Sequence, residues 1–249
     1  MRRFTKVYPT PEGAAAAAEH HAWLAEYRPL LRVPDVLDVN GVQLQLEHVD
    51  GRHPAPGDLP DLADHLGTLH AGLHRQELHA AQLNVPFTTA TGLVISDFLS
   101  SRRAAIADRL ARSLVPEPAL TPAAADQLLT STAEQPAAIY KDTNIRNILI
   151  TGAGPVHVDF DDLTLAPVGY DLAKLLLSAA MTHGAPAIQR FPEAIRGYNH
   201  ALSSGGLPPC RPEQLTGWLG IHHILTAAYL HRNGYKYSWN QFRYLFRSA

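Results

Sequence analysis

Polar and charged side chains interrupt an apolar stretch near the middle of the chain, in the segment AIYKDTNIRNILIT at residues 138–151. Asp142 and Asn147 lie five residues apart in it, and Asp159 follows within VHVDFDD. The flanking apolar residues predict strands, and the Gly-Ala-Gly turn at residues 152–154 predicts a hairpin. That hairpin would gather these three side chains at one end. Their oxygen atoms suit Mg²⁺, whose other ligands are usually waters and phosphate oxygens.

The first fifty residues predict a strand, a helix and a hairpin. Residues 3–8 alternate and are rich in strand-forming types, and the alanine-rich stretch from Pro11 predicts a helix that Pro29 ends. Asn40 and Gly41, between alternating apolar residues, predict a tight hairpin turn.

The rest of the chain is mostly helical in pattern, starting with the leucine spacing of LPDLADHLGTLHAGLHR. We therefore predict an α+β fold with two lobes. Residues 1–49 would form a small N-lobe of sheet and helix, and residues 50–249 a larger, mostly helical C-lobe that carries the polar segment.

Composition excludes several classes of protein. Apolar residues make up 46% of the 249 residues, too many for a disordered chain, and the net charge of −2 gives no general attraction to nucleic acid or anionic membrane. Cys210 is the single cysteine, so no intrachain disulfide can form. The basic first residues lack a following apolar region and no apolar run reaches eighteen residues, which predicts a cytoplasmic protein.

The motifs YKDTNIRN, VDFDD and YDLAKLL resemble the catalytic loop, metal loop and following helix of the protein-kinase-like fold. The spacing is similar to that of the aminoglycoside phosphotransferases and choline kinases, where His-Gly-Asp-x4-Asn is followed by Asp-Phe-Asp/Glu. Asp159 and Asp171 are twelve residues apart, as in that family. The resemblance spans most of the chain and is more specific in the catalytic region than in the N-lobe.

The resemblance implies a role for each matching residue of the C-lobe. Asp142 would orient the acceptor hydroxyl or accept its proton, and Asn147 and Asp159 would hold Mg²⁺ on the phosphates of ATP or GTP. Asp171 would brace the catalytic loop. The adjacent Asp161 and Asp162 would supply additional or indirect metal contacts, or simply be solvated loop charges.

In the N-lobe, FTKVY resembles the strand that carries the phosphate-anchoring lysine. Lys6 would be that lysine and Glu19 its ion-pair partner. LQLEHVDG resembles the last strand and hinge, with Glu47, His48 and Val49 beside the adenine.

Two departures from the family pattern have consequences. Only five residues precede Lys6, so either the true start of the chain lies further upstream, or the N-lobe lacks the first strands and the Gly-rich phosphate loop. A trimmed sheet would have an exposed edge, which a homodimer or a C-terminal segment could cover. YKD replaces His-Gly-Asp, so Lys141 precedes Asp142, where its charge would keep the carboxyl ionised or neutralise the transferring phosphoryl group.

The family's acceptor is generally held by helices after the metal loop. Beyond Asp171 the only acids are Glu193 and Glu213. The cations there are Lys174, Arg190, Arg196, Arg211, Arg232, Lys236, Arg243 and Arg247. These are either solvated helix faces or an acceptor site for a neutral or anionic small molecule, and they disfavour a polycationic aminoglycoside.

The sequence thus predicts a Mg²⁺-dependent phosphotransferase acting on a small-molecule hydroxyl. The alternatives are an inactive, nucleotide-binding protein of the same fold, and a peptide Ser/Thr kinase. Individual residues also have structural interpretations, since Asp142 and Asn147 can cap turns and Lys6 and Glu19 can be surface charges. A zinc site among the fourteen histidines is disfavoured because neither a His-Glu-x-x-His motif nor a cysteine partner is present.

Overall fold

A computed structural model of the chain describes residues 2–161 and 163–246. Asp162 and Arg247, two of the residues considered above, lie outside them. The N-terminal part is an antiparallel sheet of three strands in the order β1-β3-β2, with a helix packed on one face. These elements are β1 Arg3–Val7, α1 Pro11–Ala25, β2 Val36–Asn40 and β3 Gln43–Glu47.

Local sequence signals determine the bounds of these elements. The Thr10 side chain caps α1 by accepting a hydrogen bond from the Gly13 amide at 3.2 Å. Gly41 adopts φ +56° in the predicted turn between β2 and β3. The helix ends at Ala25, four residues before the predicted stop at Pro29. Proline disfavours a helical conformation at the residue before it and lacks the N–H that would bond back to Ala25.

Helices form most of the remainder, and they pack around an almost completely buried α5. Their bounds are α2 Leu59–Gln76, α3 Leu99–Ala111, α4 Pro122–Thr130, α5 Tyr170–His183, α6 Ala185–Ile188, α7 Phe191–Ser204 and α8 Pro212–Thr226. Helices α2 and α7 approach closely because Gly67 has no side chain. A Cβ atom there would lie 2.6 Å from the Tyr198 carbonyl oxygen. None of the described helices is long and apolar enough to cross a membrane.

Three two-stranded ribbons complete the described part of the fold. They pair β4 Phe87–Thr88 with β5 Val94–Ile95, β6 Ala137–Tyr140 with β9 Thr164–Pro167, and β7 Ile148–Thr151 with β8 Gly154–His157. The predicted hairpin is β7–β8, in which Ile148 pairs with His157. Strands β4, β5 and β9 were not predicted. We propose the lobe boundary at residue 49, because Arg52 already forms a β-bridge with Ile150 of the β7–β8 hairpin.

Candidate active site

The Asp142 carboxylate is held from three directions. Tyr140 donates its hydroxyl to Asp142 Oδ1 at 2.8 Å, and Lys174 Nζ lies 2.9 Å from the same oxygen. Asn147 Nδ2 donates to the Asp142 carbonyl at 3.0 Å and to Oδ2 at 3.3 Å. Burial lowers the pKa of Lys174, but Asp142, together with Tyr235 and Tyr170, outweighs burial, and the pKa is raised. Lys174 is therefore a cation beside an oriented carboxylate.

Asp171 braces the loop that carries Asp142. Its fully buried carboxylate accepts the Thr143 amide at 3.0 Å and also the Thr143 hydroxyl. The Ile145 amide donates to Ser178 on the same helix, α5, at 3.1 Å. Burial raises the pKa of Asp171, opposed by the charge of Lys141 and by the Thr143 hydrogen bonds. These contacts are those expected of the structural role predicted for Asp171.

Replacement of Asp171 should test this bracing. Asp171→Ala is expected to destabilise the fold by about 3–5 kcal/mol. It leaves both Thr143 donors without this acceptor and removes a negative charge that offsets the buried Lys141 ammonium. Asp171→Asn, which keeps one acceptor oxygen, should lose less stability than Asp171→Ala. Chemical denaturation of both variants measures the difference. Equal stability of wild type and Asp171→Ala would contradict the bracing role. Adding Lys141→Met to Asp171→Asn should cost less than the sum of the two single changes.

The predicted role of Lys141 beside the phosphoryl group is wrong in this structure. Lys141 is 2% exposed and its ammonium contacts His157 Nδ1 in the interior. Tyr140 ends β6 and its hydroxyl bonds the Asp142 carboxylate, whereas Lys141, between them in sequence, points into the interior. Burial lowers the pKa of Lys141 to about 8, against the attraction of Asp171 and Asp142. Lys141 therefore lies on the interior side of the catalytic loop and not on the side that faces a substrate.

The β7–β8 hairpin places Asp159 next to Asn147, as the sequence predicted. The Val158 amide bonds the Asn147 carbonyl at 2.8 Å, and Asp159 adopts φ +69°. Lys6 reaches across from β1, with Nζ at 2.7 Å from Asp159 Oδ1 and 2.6 Å from Asp161 Oδ2. Although burial opposes it, pairing with these two carboxylates raises the pKa of Lys6 well above its ordinary value.

The predicted pairing of Lys6 with Glu19 is not found among the described contacts. Glu19 is exposed because α1 turns Ala17 and His21 inward, and a residue midway between them faces outward. The next two residues of α1, His20 and His21, contact Phe160. His20 Nδ1 is 2.8 Å from the Phe160 carbonyl oxygen, and the ring centres of His21 and Phe160 are 4.7 Å apart, edge to face.

A cavity of about 360 Å³ lies between the sheet and the β7–β8 hairpin. It brings together Lys6, Asn147 and Asp159. The predicted hinge residues line it too, and mostly apolar side chains form its remaining walls. Those hinge residues are Glu47, His48 and Val49. This arrangement gives charged groups at one side of an apolar slot, which suits a planar base attached to phosphates.

A second cavity of about 510 Å³ lies beyond Asp142, between α3 and α8. Asp142 opens into this cavity and Asn147 into the first, so the hydrogen bond between their side chains connects the two spaces. Tyr140, Arg102 and Arg109 are functional candidates that the sequence analysis did not single out, whereas Lys174 was among the cations it considered for an acceptor site. Tyr140 ends β6 two residues before Asp142, and this closeness in sequence was the available local signal for its role.

The oxygen donors fit a magnesium ion that is bound together with a nucleotide. Asn147 uses Nδ2 on Asp142, which leaves its Oδ1 as the atom for a metal, and Asp159 lines the same cavity. Within residues 2–161 and 163–246, no three His, Cys, Asp or Glu side chains gather into a metal cluster. Phosphate oxygens and water would therefore complete the coordination, as is usual for Mg²⁺.

Comparison with known proteins identifies the class. A sequence profile described as the phosphotransferase enzyme family matches residues 2–212. The chain therefore belongs to this family and is a phosphotransferase of protein-kinase-like, two-lobed α+β fold. No curated protein matches the sequence.

Solved structures confirm the fold at low identity. The aminoglycoside phosphotransferase APH(3'')-Id of Streptomyces rimosus, in complex with ADP and streptomycin, is 18% identical with a TM-score of 0.59, over 90% of this chain and 86% of that one. A choline/ethanolamine kinase family protein of Mesorhizobium loti is 14% identical with a TM-score of 0.57, over 99% and 81%. A microcompartment-associated aminopropanol kinase is 16% identical with a TM-score of 0.55, over 99% and 82%.

Proposed function

We propose that the protein transfers the γ-phosphoryl group of ATP or GTP, with Mg²⁺, to a hydroxyl of a neutral or anionic small molecule. The observation that carries this proposal is the hydrogen bond between a residue that lines one cavity and a residue that lines the other. Asn147 and Asp142 are hydrogen-bonded at 3.3 Å, yet each faces a different cavity. Donor and acceptor can therefore approach each other at one oriented carboxylate.

Each charged group has a part in this reaction. Lys6 would bind the nucleotide's phosphates, and its place between Asp159 and Asp161 keeps it protonated. Asn147 and Asp159 would hold Mg²⁺, which supplies charge neutralisation on the phosphates. Asp142 would orient the acceptor hydroxyl and take its proton. The Lys174 ammonium and the Tyr140 hydroxyl occupy Oδ1, whereas Oδ2 accepts only the longer contact from Asn147 among the described contacts, so Oδ2 is the atom for that proton.

The charge of the second cavity supports a neutral or anionic acceptor. Asp142 is the single acid among its described lining residues, whereas Arg102, Arg109 and Lys174 are cations there. The related structures include a kinase bound to streptomycin, a polycation. Such a ligand needs acids around it, because recognition surfaces match opposite charges.

A phosphoryl-transfer screen tests the proposal. The chain would be incubated with Mg·ATP or Mg·GTP and with kanamycin, choline, glycerol, sugars, hydroxy acids and a serine peptide, and products detected by their added phosphate mass. We expect products only from neutral or anionic small molecules. Robust kanamycin phosphorylation would overturn the acceptor assignment. A phosphopeptide would favour the peptide-kinase alternative, and no nucleotide binding would favour the inactive one.

The predicted homodimer remains a prediction. β1 lies at one edge of the three-stranded sheet, and its Phe4 and Val7 side chains are more than half exposed. Light scattering at micromolar concentration would measure the oligomeric state, and a monomer at all concentrations would contradict the dimer.

A further inference from the structure

Helix α3 presents two arginines to the acceptor cavity. Arg102 and Arg109 are seven residues apart, two helical turns, with Ala105 between them on the same face. The acid of this helix near them, Asp108, is exposed and pairs with Arg112 at 3.3 Å. The cavity face of α3 is therefore positively charged without a compensating acid on that face.

The two arginines differ in their burial and in how many hydrogen bonds their guanidinium groups make within the protein. Arg102 is 6% exposed; it donates to the Phe98 carbonyl at 3.0 Å and to Thr164 Oγ1 at 2.7 Å. Arg109 is half-buried, and within the part of the chain that the structure describes its guanidinium makes one hydrogen bond, to the Leu225 carbonyl. Its remaining N–H groups can form the paired contacts that carboxylates and phosphates accept.

Aromatic side chains form much of the rest of the cavity. The Arg102 guanidinium lies 4.9 Å from the ring centres of both Tyr140 and Tyr170, and that of Arg109 lies 5.6 Å from the centre of Tyr229. Tyr140 spans the distance from this cationic wall to Asp142, because its ring lies near Arg102 while its hydroxyl bonds the carboxylate. A ligand with an acidic group at one end and a hydroxyl at the other matches this arrangement.

We infer that the acceptor is a hydroxyl compound with an anionic group, a carboxylate or phosphate, which Arg109 binds directly and Arg102 attracts, while the hydroxyl points to Asp142. This inference rests on the proposed function for the position of the reacting hydroxyl. It assigns Arg109 as the residue that determines specificity, and it makes the acceptor's charge the property that the cavity selects. Lys174 contributes less, because Asp142 pairs with it.

A charge-matched ligand series tests the inference by calorimetry. Tyramine, tyrosol, 4-hydroxyphenylacetate and tyrosol phosphate share one hydroxyphenyl skeleton and carry a cation, no charge, a carboxylate and a phosphate. We expect the better of the two anions to bind about tenfold or more tightly than tyramine. Arg109→Gln should abolish that preference, and Arg109→Glu should reverse it toward tyramine. The control is Arg103→Gln on the same helix, whose guanidinium faces outward to Asp126 at 2.8 Å.

The outcomes separate this inference from the proposed function. Mg·ATP or Mg·GTP binding, measured on the same samples, reports on the other cavity and should be equal in all these variants. With nucleotide binding intact, equal or tighter binding of tyramine by the wild type would overturn the inference. An unchanged anion preference in Arg109→Gln, or no binding of any of the four ligands, would do the same. Loss of nucleotide binding in the wild type would count against the proposed function instead.

Discussion

Asp142→Asn should slow phosphoryl transfer by ~10²–10⁴-fold, the range expected when a general base is removed. The amide is the same size as the carboxylate and can still accept hydrogen bonds from Tyr140 and Lys174 at Oδ1. It cannot take a proton from the acceptor hydroxyl. Its NH₂ group replaces Oδ2 and loses the 3.3 Å contact from Asn147 Nδ2. The site should therefore keep its two shorter side-chain contacts and lose its base, which makes this variant informative about mechanism.

The measurement is kcat for the acceptor that the screen identifies, or for water as acceptor in basal nucleotide hydrolysis. Nucleotide affinity should change little, because Asp142 lies in the other cavity. Asp108→Asn, an exposed aspartate on α3, is the matched control and should turn over like the wild type. A wild-type rate in Asp142→Asn would remove Asp142 from its assigned role.

Acidification below pH 6.5 should destabilise the folded protein steeply. Burial lowers the pKa of six histidines, to about 4 for His21 and His223 and to about 3 for His70. The other three are His65, His157 and His222. Below pH 6.5 the unfolded chain binds protons that the folded chain does not. The free energy of unfolding therefore decreases as the pH decreases, by about 1.4 kcal/mol per pH unit for each such histidine. The loss levels off only below the folded-state pKa.

Thermal unfolding between pH 8 and pH 4.5 measures this effect. We expect a nearly constant midpoint above pH 7 and a sharp decrease between pH 6.5 and 4.5. His70→Gln should reduce the slope by about one proton, because the buried His70 contacts Tyr198 and lies far from solvent. His53→Gln, at an exposed position, serves as the control. A midpoint that stays constant down to pH 4.5 would show that these histidines are accessible to protons in the folded state.

The sequence was most informative where one local element carries several functional groups. Asn147 and Asp159 come together because a hairpin with a glycine turn pairs the strands between them, and both signals are local. Asp171 follows at a spacing that a known family shares. Sequence alone therefore predicts that the polar segment belongs to a site.

Groups brought in by distant elements could not be predicted in the same way. Lys174 reaches Asp142 only because α5 packs behind the catalytic loop, and Arg109 faces the cavity only because α3 lies opposite α8. Glu19 was assigned by analogy, although the helical periodicity of α1 turns it away from Lys6. The direction of Lys141 could not be predicted from strand alternation, because β6 ends at Tyr140 and Asp142 adopts φ +53° in the loop that follows.

Calorimetric titration with ATP and with GTP, each with and without Mg²⁺, tests the central claim most directly. The wild type would be compared with Asp159→Ala and with Asp38→Ala, a control at an exposed residue of β2. We predict nucleotide binding that Mg²⁺ strengthens in the wild type and in Asp38→Ala, and loss of the Mg²⁺ effect in Asp159→Ala. No binding of either nucleotide by the wild type, or an undiminished Mg²⁺ effect in Asp159→Ala, would contradict the account.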